Sequence, residues 1–179
     1  SVIGNPPYVD AKKLASISNA LKEKYKVYYS SSDLSSYFFE LAFNLLSNDG
    51  LLSFINTNKF FKTEYGKPLR NYISNYNVKS IINFEQVPIF DEALVSSLIL
   101  VSQKNNNKTN FYISEFFKEE IILKDFRYEI EARKKQIEVN DFNDEPWNFS
   151  NQSTNKIIKK IYSNSFKIKD ISSIDIKRG

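Results

Sequence analysis

Short apolar runs alternate along the chain with longer segments in which apolar residues recur every three or four positions. Apolar runs of roughly four to eight residues predict buried strands, and a spacing of about three to four predicts amphipathic helices. The predicted strands are residues 1–5, 51–55, 78–84, 94–102 and 109–113. The predicted helices are residues 9–25, a segment from Ser32 or Asp33 to about Ser47, a short segment around Asn58–Phe61, and Pro68 to about Ser74. This order of strand, helix, strand, helix and then a strand pair predicts the second half of a doubly wound α/β domain.

Residues that favour caps and turns support these boundaries. Asp33 or Ser32 can accept the first N–H groups of a helix. The sequence Asn48-Asp49-Gly50 is a typical helix stop. Pro68 suits the first turn of a helix, because the N–H that proline lacks has no helical partner there.

After about residue 116 the pattern changes. Residues 119–137 are charged and predict a partly helical segment, whereas residues 140–146 are acidic and rich in turn formers. The only tryptophan, Trp147, follows directly, and a helix is predicted at residues 153–163 before a further element at residues 168–176. We therefore expect a domain at residues 1–115, a mostly helical linker at residues 116–152, and the beginning of another domain at residues 153–179.

The composition narrows the function classes. A hydrophobic content of 41% over 179 residues is typical of a globular chain with a sizeable core. The chain has no cysteine and no histidine, which excludes disulfides, thiolate metal sites and Ser-His-Asp or Cys-His catalysis within it, so no metal site is predicted. No apolar run reaches the roughly 18 residues of a membrane span and no signal peptide is visible, so a cytoplasmic protein is expected. Because the chain lacks methionine and begins inside a predicted buried strand, we expect it to be a piece of a longer protein.

Positive charge is concentrated at the end of the chain. The formal net charge is +4, yet residues 156–179 hold seven Lys or Arg against Asp170 and Asp175. A basic segment suits a polyanion such as nucleic acid. An AT-rich genome, which enriches Lys, Asn and Ile together, explains the same composition equally well, so both interpretations stand.

The sequence Asn5-Pro6-Pro7-Tyr8 directly follows the first predicted strand. Two prolines turn the chain sharply, at the end of the strand where ligands of α/β sheets bind. The side-chain oxygen of Asn5 and the carbonyl of Pro6 are two acceptors for the N–H bonds of an exocyclic amine, and they favour a localised nitrogen lone pair. Tyr8 offers a ring on which a base can stack. Such a pocket suits direct attack of a nucleobase amine on a methyl sulfonium, provided that the base is flipped out of its duplex.

The same four residues resemble the catalytic motif of amino-methylating DNA methyltransferases. Other stretches resemble, in the same order, segments of the γ class of these enzymes, most closely the large enzymes that combine restriction with modification. These stretches are residues 33–40, 49–58, 68–70 and 84–93, and Trp147 with residues 176–179 resembles the approach to a target-recognition domain. Thr57 stands where the family usually has proline.

The resemblance implies a fold and a reaction. The fold would be the C-terminal half of a Rossmann-like methyltransferase sheet, followed by the mostly helical linker toward a target-recognition domain. The reaction would transfer a methyl group from S-adenosylmethionine to the amino group of a flipped-out adenine, within a restriction-modification enzyme that acts on double-stranded DNA.

The resemblance also implies the roles of single residues. It assigns catalysis to Asn5, Pro6, Pro7 and Tyr8. Asn5 and Pro6 would accept hydrogen bonds from the adenine amino group, while Tyr8 would stack on the base. Phe90, with Phe84 as the weaker candidate, would contact the other face or edge of the base.

The cofactor side of the family's site precedes the catalytic motif. The four glycines of this chain form no glycine-rich cofactor loop, and Asn5 alone is expected to border S-adenosylmethionine. We therefore expect the chain by itself to bind the cofactor poorly and to be inactive. No oligomeric state is predicted.

Two other function classes stay open. Methyltransferases of protein glutamine, or of the guanine amino group in RNA, share the same turn but usually end soon after the sheet. A DNA-binding or scaffolding fragment with a degenerate pocket is the non-enzymatic alternative. The long continuation into a basic segment favours DNA modification.

Overall fold

The computed structural model describes residues 1–85, 87, 96–117, 125–149, 160–161 and 163–164 of the 179-residue chain. Contacts between residues divide the chain into two compact units, Ser1–Trp147 and Asn148–Gly179. The sheet and its helices lie in the first unit. The three-part domain division expected from the sequence stays a prediction.

Within the described residues, six strands form one mixed sheet. They are β1 (Val2–Gly4), β2 (Leu51–Thr57), β3 (Asn77–Glu85), β4 (Ser97–Gln103), β5 (Phe111–Phe117) and β6 (Lys135–Ile137). Their spatial order is β1-β2-β4-β3-β5-β6. Strand β1 is parallel to β2 and β3 is parallel to β5, while β4 pairs antiparallel with both β2 and β3. The carboxyl ends of β1, β2, β3 and β5 therefore lie at the same edge of the sheet.

Among the described residues, four α-helices and four 3-10 turns lie between or after these strands. The helices are α1 (Ser18–Lys24), α2 (Leu34–Leu45), α3 (Lys67–Ile73) and α4 (Phe126–Ala132). The 3-10 turns are Ala11–Ile17, Lys59–Phe61, Glu64–Gly66 and Val139–Asp141. In the part of the chain that the structure describes, no helix combines the length and the apolar character that crossing a membrane requires.

Helices pack on both faces of the sheet. On one face, Phe39 of α2 contacts Phe54 of β2, with ring centroids 5.3 Å apart. Successive side chains of a strand point to opposite faces, so the strand register places Phe84 and Phe116 on the other face. There the ring of Phe126 from α4 packs against both. The α/β fold predicted from the sequence is therefore confirmed.

The boundaries of α2 show which sequence signals determine them. Asp33 is the N-cap, as expected, and its Oδ1 accepts a hydrogen bond from the Ser36 amide at 3.2 Å. The helix ends at Leu45, and Asp49 rather than Gly50 adopts the left-handed conformation, with φ of 60°. Gly50 is needed for space, because a Cβ there would lie 2.9 Å from the Ser47 carbonyl oxygen.

The charged segment at residues 119–137 is partly helical, as expected, since α4 lies within it. It ends in a strand that was not predicted, β6, which pairs antiparallel with β5 at the edge of the sheet. Lys135 and Gln136 are exposed there and Ile137 is half-buried. Charged side chains are tolerated on an edge strand, so the charged composition gave no sign of β6.

Several expectations fall on residues that the structure does not describe. The predicted helix at residues 153–163 is described only at residues 160, 161 and 163, and the element at residues 168–176 lies wholly outside the described residues. Strand β4 begins at Ser97, and residues 94 and 95 of its predicted range also lie outside.

Candidate functional site

The Asn5–Tyr8 segment leaves the sheet at the carboxyl end of β1. The sharp turn expected from its two prolines is not present, because residues 5–10 form neither a turn nor a bend. Proline, and the residue before it, also favour extended backbone. Gly4, the last residue of β1, pairs with Phe54 of β2, and a Cβ at Gly4 would lie 3.2 Å from the Phe54 ring. Because the neighbouring parallel strands end at the same edge, the residues that end β2 and β3 lie along the same side of the sheet as this segment.

The structure brings the two polar members of the segment together. The Tyr8 hydroxyl donates a hydrogen bond to Asn5 Oδ1 at 3.1 Å. Pro6 is buried, whereas Asn5, Pro7 and Tyr8 are exposed, with 40% of the Tyr8 side chain accessible. A carboxamide oxygen has two lone pairs, so Asn5 can accept a second donor, and neither proline has an N–H that competes for it.

The start of α2 joins the segment to the sheet. The Leu34 amide donates to the Val9 carbonyl at 2.9 Å, and Asp33 Oδ1 accepts from the Ser35 hydroxyl at 2.6 Å. Burial and the negative charge of Asp33 raise the pKa of the Tyr8 hydroxyl. Burial, followed by the charge of Asp33, also raises the pKa of Tyr65 to about 12. Both hydroxyls therefore stay protonated at neutral pH and do not act as bases.

Asn56 lies beneath this cluster at the end of β2 and is 1% exposed. Its Oδ1 accepts from the Ser35 hydroxyl at 2.9 Å and from the Thr57 amide at 2.7 Å. Its Nδ2 has no hydrogen-bond partner among the described residues. Asn56 was not predicted as a site residue, although a polar residue directly after a predicted buried strand indicates a possible site position.

A second polar group continues along the same edge. Asn58 Nδ2 donates to Asn83 Oδ1 and to Glu85 Oε2, both at 2.9 Å. Glu115 of β5 lies opposite Asn83 and forms an ion pair with Lys135 at 3.4 Å. None of these residues was predicted, because their proximity depends on the pairing of strands that are distant in sequence.

The two phenylalanines proposed as base contacts have different outcomes. Phe84 is 4% exposed, and its ring packs against Phe116 and Phe126 at centroid distances of 5.4 and 5.9 Å. The assignment of Phe84 as a stacking residue is therefore not supported, because α4 covers it. Phe90 lies outside the described residues, and its role stays a prediction.

Tyr28 and Tyr29, the two tyrosines of the loop before α2, differ in their exposure. The Tyr28 hydroxyl is 2.9 Å from the Ser18 hydroxyl and is half-buried. Tyr29 is 39% exposed and lines an open cleft of about 550 Å³ that does not include the Asn5–Tyr8 segment. The other residues of that cleft are Lys26, Glu64, Lys67, Pro68, Asn71, Tyr72, Asn75, Tyr76 and Asp144.

The oxygen atoms of the site suit the N–H groups of an amine and not a metal ion. Among the described residues, no group of three or more acidic, histidine or cysteine side chains could hold a metal ion. None of the described glycines has a positive φ, and those at positions 4, 50 and 66 are widely separated. The expectation that Asn5 borders a methyl donor stays a prediction.

Comparisons with known proteins agree on one family. Residues 1–90, half of the chain, match the family model described as the Eco57I restriction-modification methylase. The type II methyltransferase M.BstVI of Geobacillus stearothermophilus is 26% identical over 99% of this chain and 35% of its own length. The type II restriction enzyme and methyltransferase RM.Eco57I of Escherichia coli is 24% identical over 95% of this chain and 17% of its own length. The chain thus spans about a third or less of these relatives.

Solved structures share the fold at low sequence identity. The type IIG restriction endonuclease BpuSI covers 90% of this chain with a TM-score of 0.58 and 14% identity, over 22% of its own chain. The type IIL restriction-modification enzyme MmeI, solved in complex with DNA, covers 76% of this chain with a TM-score of 0.54 and 15% identity, over 18% of its own chain.

Proposed function

This chain belongs to the Eco57I restriction-modification methylase family, and from that premise we propose that it forms part of a site-specific DNA methyltransferase. In this proposal, a methyl group passes from S-adenosylmethionine to the amino group of an adenine that is flipped out of double-stranded DNA. A cytoplasmic location and the division into residues 1–115, 116–152 and 153–179 belong to the same proposal.

The contact between Asn5 and Tyr8 is the observation that carries the proposal. Asn5 Oδ1 already accepts one hydrogen bond from the Tyr8 hydroxyl and keeps a lone pair for a substrate N–H. The Pro6 carbonyl is the second acceptor offered by the same segment. Two acceptors held in one short segment bind both N–H groups of an amine, and they favour a nitrogen lone pair that is not shared with the aromatic ring.

Each protein group then has a defined task. Asn5 and Pro6 orient the amino group, and Tyr8 holds the plane of the base by stacking. The tyrosine hydroxyls near Asp33 stay protonated, so they take no proton from the substrate. S-adenosylmethionine, when bound, supplies the electrophilic methyl group.

The relatives favour DNA over the other acceptors that the segment can serve. M.BstVI is a type II methyltransferase, RM.Eco57I is a type II restriction enzyme and methyltransferase, and MmeI was solved in complex with DNA. The test uses the complete polypeptide that carries this sequence, labelled S-adenosylmethionine, and duplex DNA, RNA and peptide as acceptors. We expect label in N6-methyladenine of duplex DNA; labelled peptide with unlabelled DNA would reject the proposal.

Replacing Tyr8 with alanine is expected to lower kcat/KM for DNA about 10- to 100-fold, because base stacking contributes roughly 1–3 kcal/mol. Tyr8→Phe keeps the ring and removes only the hydrogen bond to Asn5, so a loss of about two- to fivefold is expected. Tyr112→Ala is a matched control, since Tyr112 is 41% exposed on β5. Steady-state methylation of a duplex with one site measures all three variants, and equal losses for Tyr8→Ala and Tyr112→Ala would contradict a stacking role.

The 179-residue chain alone is expected to bind S-adenosylmethionine with a Kd no tighter than about 100 μM. The physical reason is that Asn5 alone is proposed to border the cofactor, and the described glycines at positions 4, 50 and 66 form no loop that could enclose the remainder of the molecule. Isothermal titration calorimetry measures this directly. A micromolar Kd for the isolated chain would show that the cofactor side is more complete than we propose.

A further inference from the structure

Arg70 of α3 makes an unusual set of buried contacts. It is 2% exposed, and its Nη1 donates to the carbonyls of Phe60 at 2.6 Å and Thr63 at 2.8 Å. Its Nε donates to the Asp144 carbonyl at 2.9 Å. Two of these carbonyls belong to the segment that follows β2, and the third comes from a segment 74 residues away from Arg70. One guanidinium therefore joins two distant parts of the chain.

Trp147 contacts the same two segments of the chain as Arg70. Its amide donates to the Phe61 carbonyl at 2.9 Å, and its indole Nε1 donates to the Asn143 carbonyl at 2.7 Å. The indole ring lies 5.7 Å from the Phe60 ring and 4.1 Å from the Phe142 ring, and Trp147 is 3% exposed. We call the contacts of Arg70 and Trp147 with residues 60–63 and 142–144 the Arg70 clasp.

Burying the Arg70 guanidinium is energetically costly, which indicates that its directional hydrogen bonds matter. Burial lowers the pKa of Arg70, while Glu64, Asp144 and Glu145 act in the opposite direction. A buried guanidinium loses its hydration, and an apolar side chain would fill space in the same place without that loss. An apolar side chain cannot, however, hold carbonyls from two segments in a fixed planar arrangement.

The segment held by the clasp begins at the candidate site. Asn58 directly follows β2, and its Nδ2 bridges Asn83 and Glu85 at the carboxyl edge of the sheet. The Lys59 amide donates to Thr57 Oγ1 at 3.3 Å, next to the buried Asn56. Arg70 thus acts on the site edge through residues 58–63 and contacts none of the reacting groups.

We propose that Arg70 is a positioning residue for methyl transfer: it holds residues 58–63 against the site edge and attaches to them the last residues of the first compact unit. This inference rests on the proposed function. A shift of about 1 Å in a supporting segment can lower catalysis about 100-fold, so loosening the clasp lowers kcat more than it lowers cofactor affinity.

Two readouts separate this role from simple stability. Trp147 is the only tryptophan of the chain, so its fluorescence and its quenching by acrylamide report the clasp in the 179-residue chain itself. In the complete polypeptide, kcat is expressed per folded molecule, with the folded fraction taken from circular dichroism. For Arg70→Leu we expect quenching to rise at least about twofold. We also expect kcat per folded molecule to fall about 10- to 100-fold, with KM for S-adenosylmethionine within about threefold.

Three more variants complete the test. Arg70→Lys keeps the charge but not the planar fork, so raised quenching and a kcat at least about fivefold below wild type are expected. Trp147→Phe removes the indole donor and is expected to lower kcat in the same direction. Arg127→Leu, at an exposed arginine of α4, is the control and should match wild type.

The outcomes distinguish the two proposals. Wild-type kcat per folded molecule in Arg70→Leu, or full activity and normal quenching in Arg70→Lys, overturns the positioning role. If the wild-type polypeptide methylates no DNA, the proposed function fails and the positioning role fails with it. The quenching experiment then still shows whether Arg70 holds Trp147.

Discussion

Replacing Asn5 with alanine is expected to lower kcat for DNA methylation about 100- to 1,000-fold, with KM for DNA within about threefold. The change removes one of the two acceptors that hold the substrate amino group, and it leaves the Tyr8 ring in place. Loss of one preorganised polar group at a reacting centre typically has this size, which corresponds to about 3–4 kcal/mol in the activation free energy. Asn5 is exposed, so the midpoint of thermal unfolding should change little.

A single-turnover assay on the complete polypeptide measures this prediction without interference from product release. Asn44→Ala, at an exposed asparagine of α2, is the matched control and should keep wild-type activity. Asn5→Asp retains an acceptor oxygen and should fall between Asn5→Ala and wild type. An Asn5→Ala enzyme as active as wild type would support a degenerate pocket that binds DNA without catalysis.

The Asn5–Tyr8 segment could be located from the sequence because its information is local. Its four residues are consecutive, and the apolar run before them places the segment at a strand end, as β1 confirms. The catalytic roles of these residues stay a prediction. The same holds for the cap at Asp33 and for the order of strands and helices, since each depends on neighbours within a few positions.

The rest of the site depends on which strands become neighbours. Asn58 meets Asn83 and Glu85 only because β4 lies between β2 and β3 and brings their carboxyl ends to one edge. Phe84 was the weaker candidate for a base contact, but α4, which follows β5 in the chain, covers its ring. Single-sequence patterns carry no information on these long-range pairings, so neither the polar group nor the contact between Phe84 and α4 could be derived.

Replacing Gly66 tests the same long-range packing through its effect on the free energy of unfolding. Its φ of −75° and ψ of −14° suit any residue, so backbone preference alone predicts that Gly66→Ala stabilises the chain by about 0.4–1 kcal/mol. A Cβ at this position, however, would overlap the Phe60 carbonyl oxygen. That oxygen is an acceptor of the Arg70 guanidinium, so it cannot move away without breaking a buried hydrogen bond. The steric overlap therefore outweighs the backbone preference, and Gly66→Ala is expected to destabilise the fold by about 3 kcal/mol.

Urea unfolding followed by Trp147 fluorescence and circular dichroism measures the free energy of unfolding for this variant. Gly4→Ala is the matched control: the nearest atom to its Cβ is the edge of the Phe54 ring at 3.2 Å, which can shift by a few tenths of an ångström. We expect a cost of about 1 kcal/mol or less at Gly4, because a side-chain edge relaxes more easily than a backbone carbonyl held by Arg70. Both substitutions add one methyl group. The difference between their effects on the free energy of unfolding therefore reports how rigidly the Phe60 carbonyl is held. If Gly66→Ala were neutral or stabilising, the close approach of α3 to residues 60–63 would be wrong, and the Arg70 clasp with it.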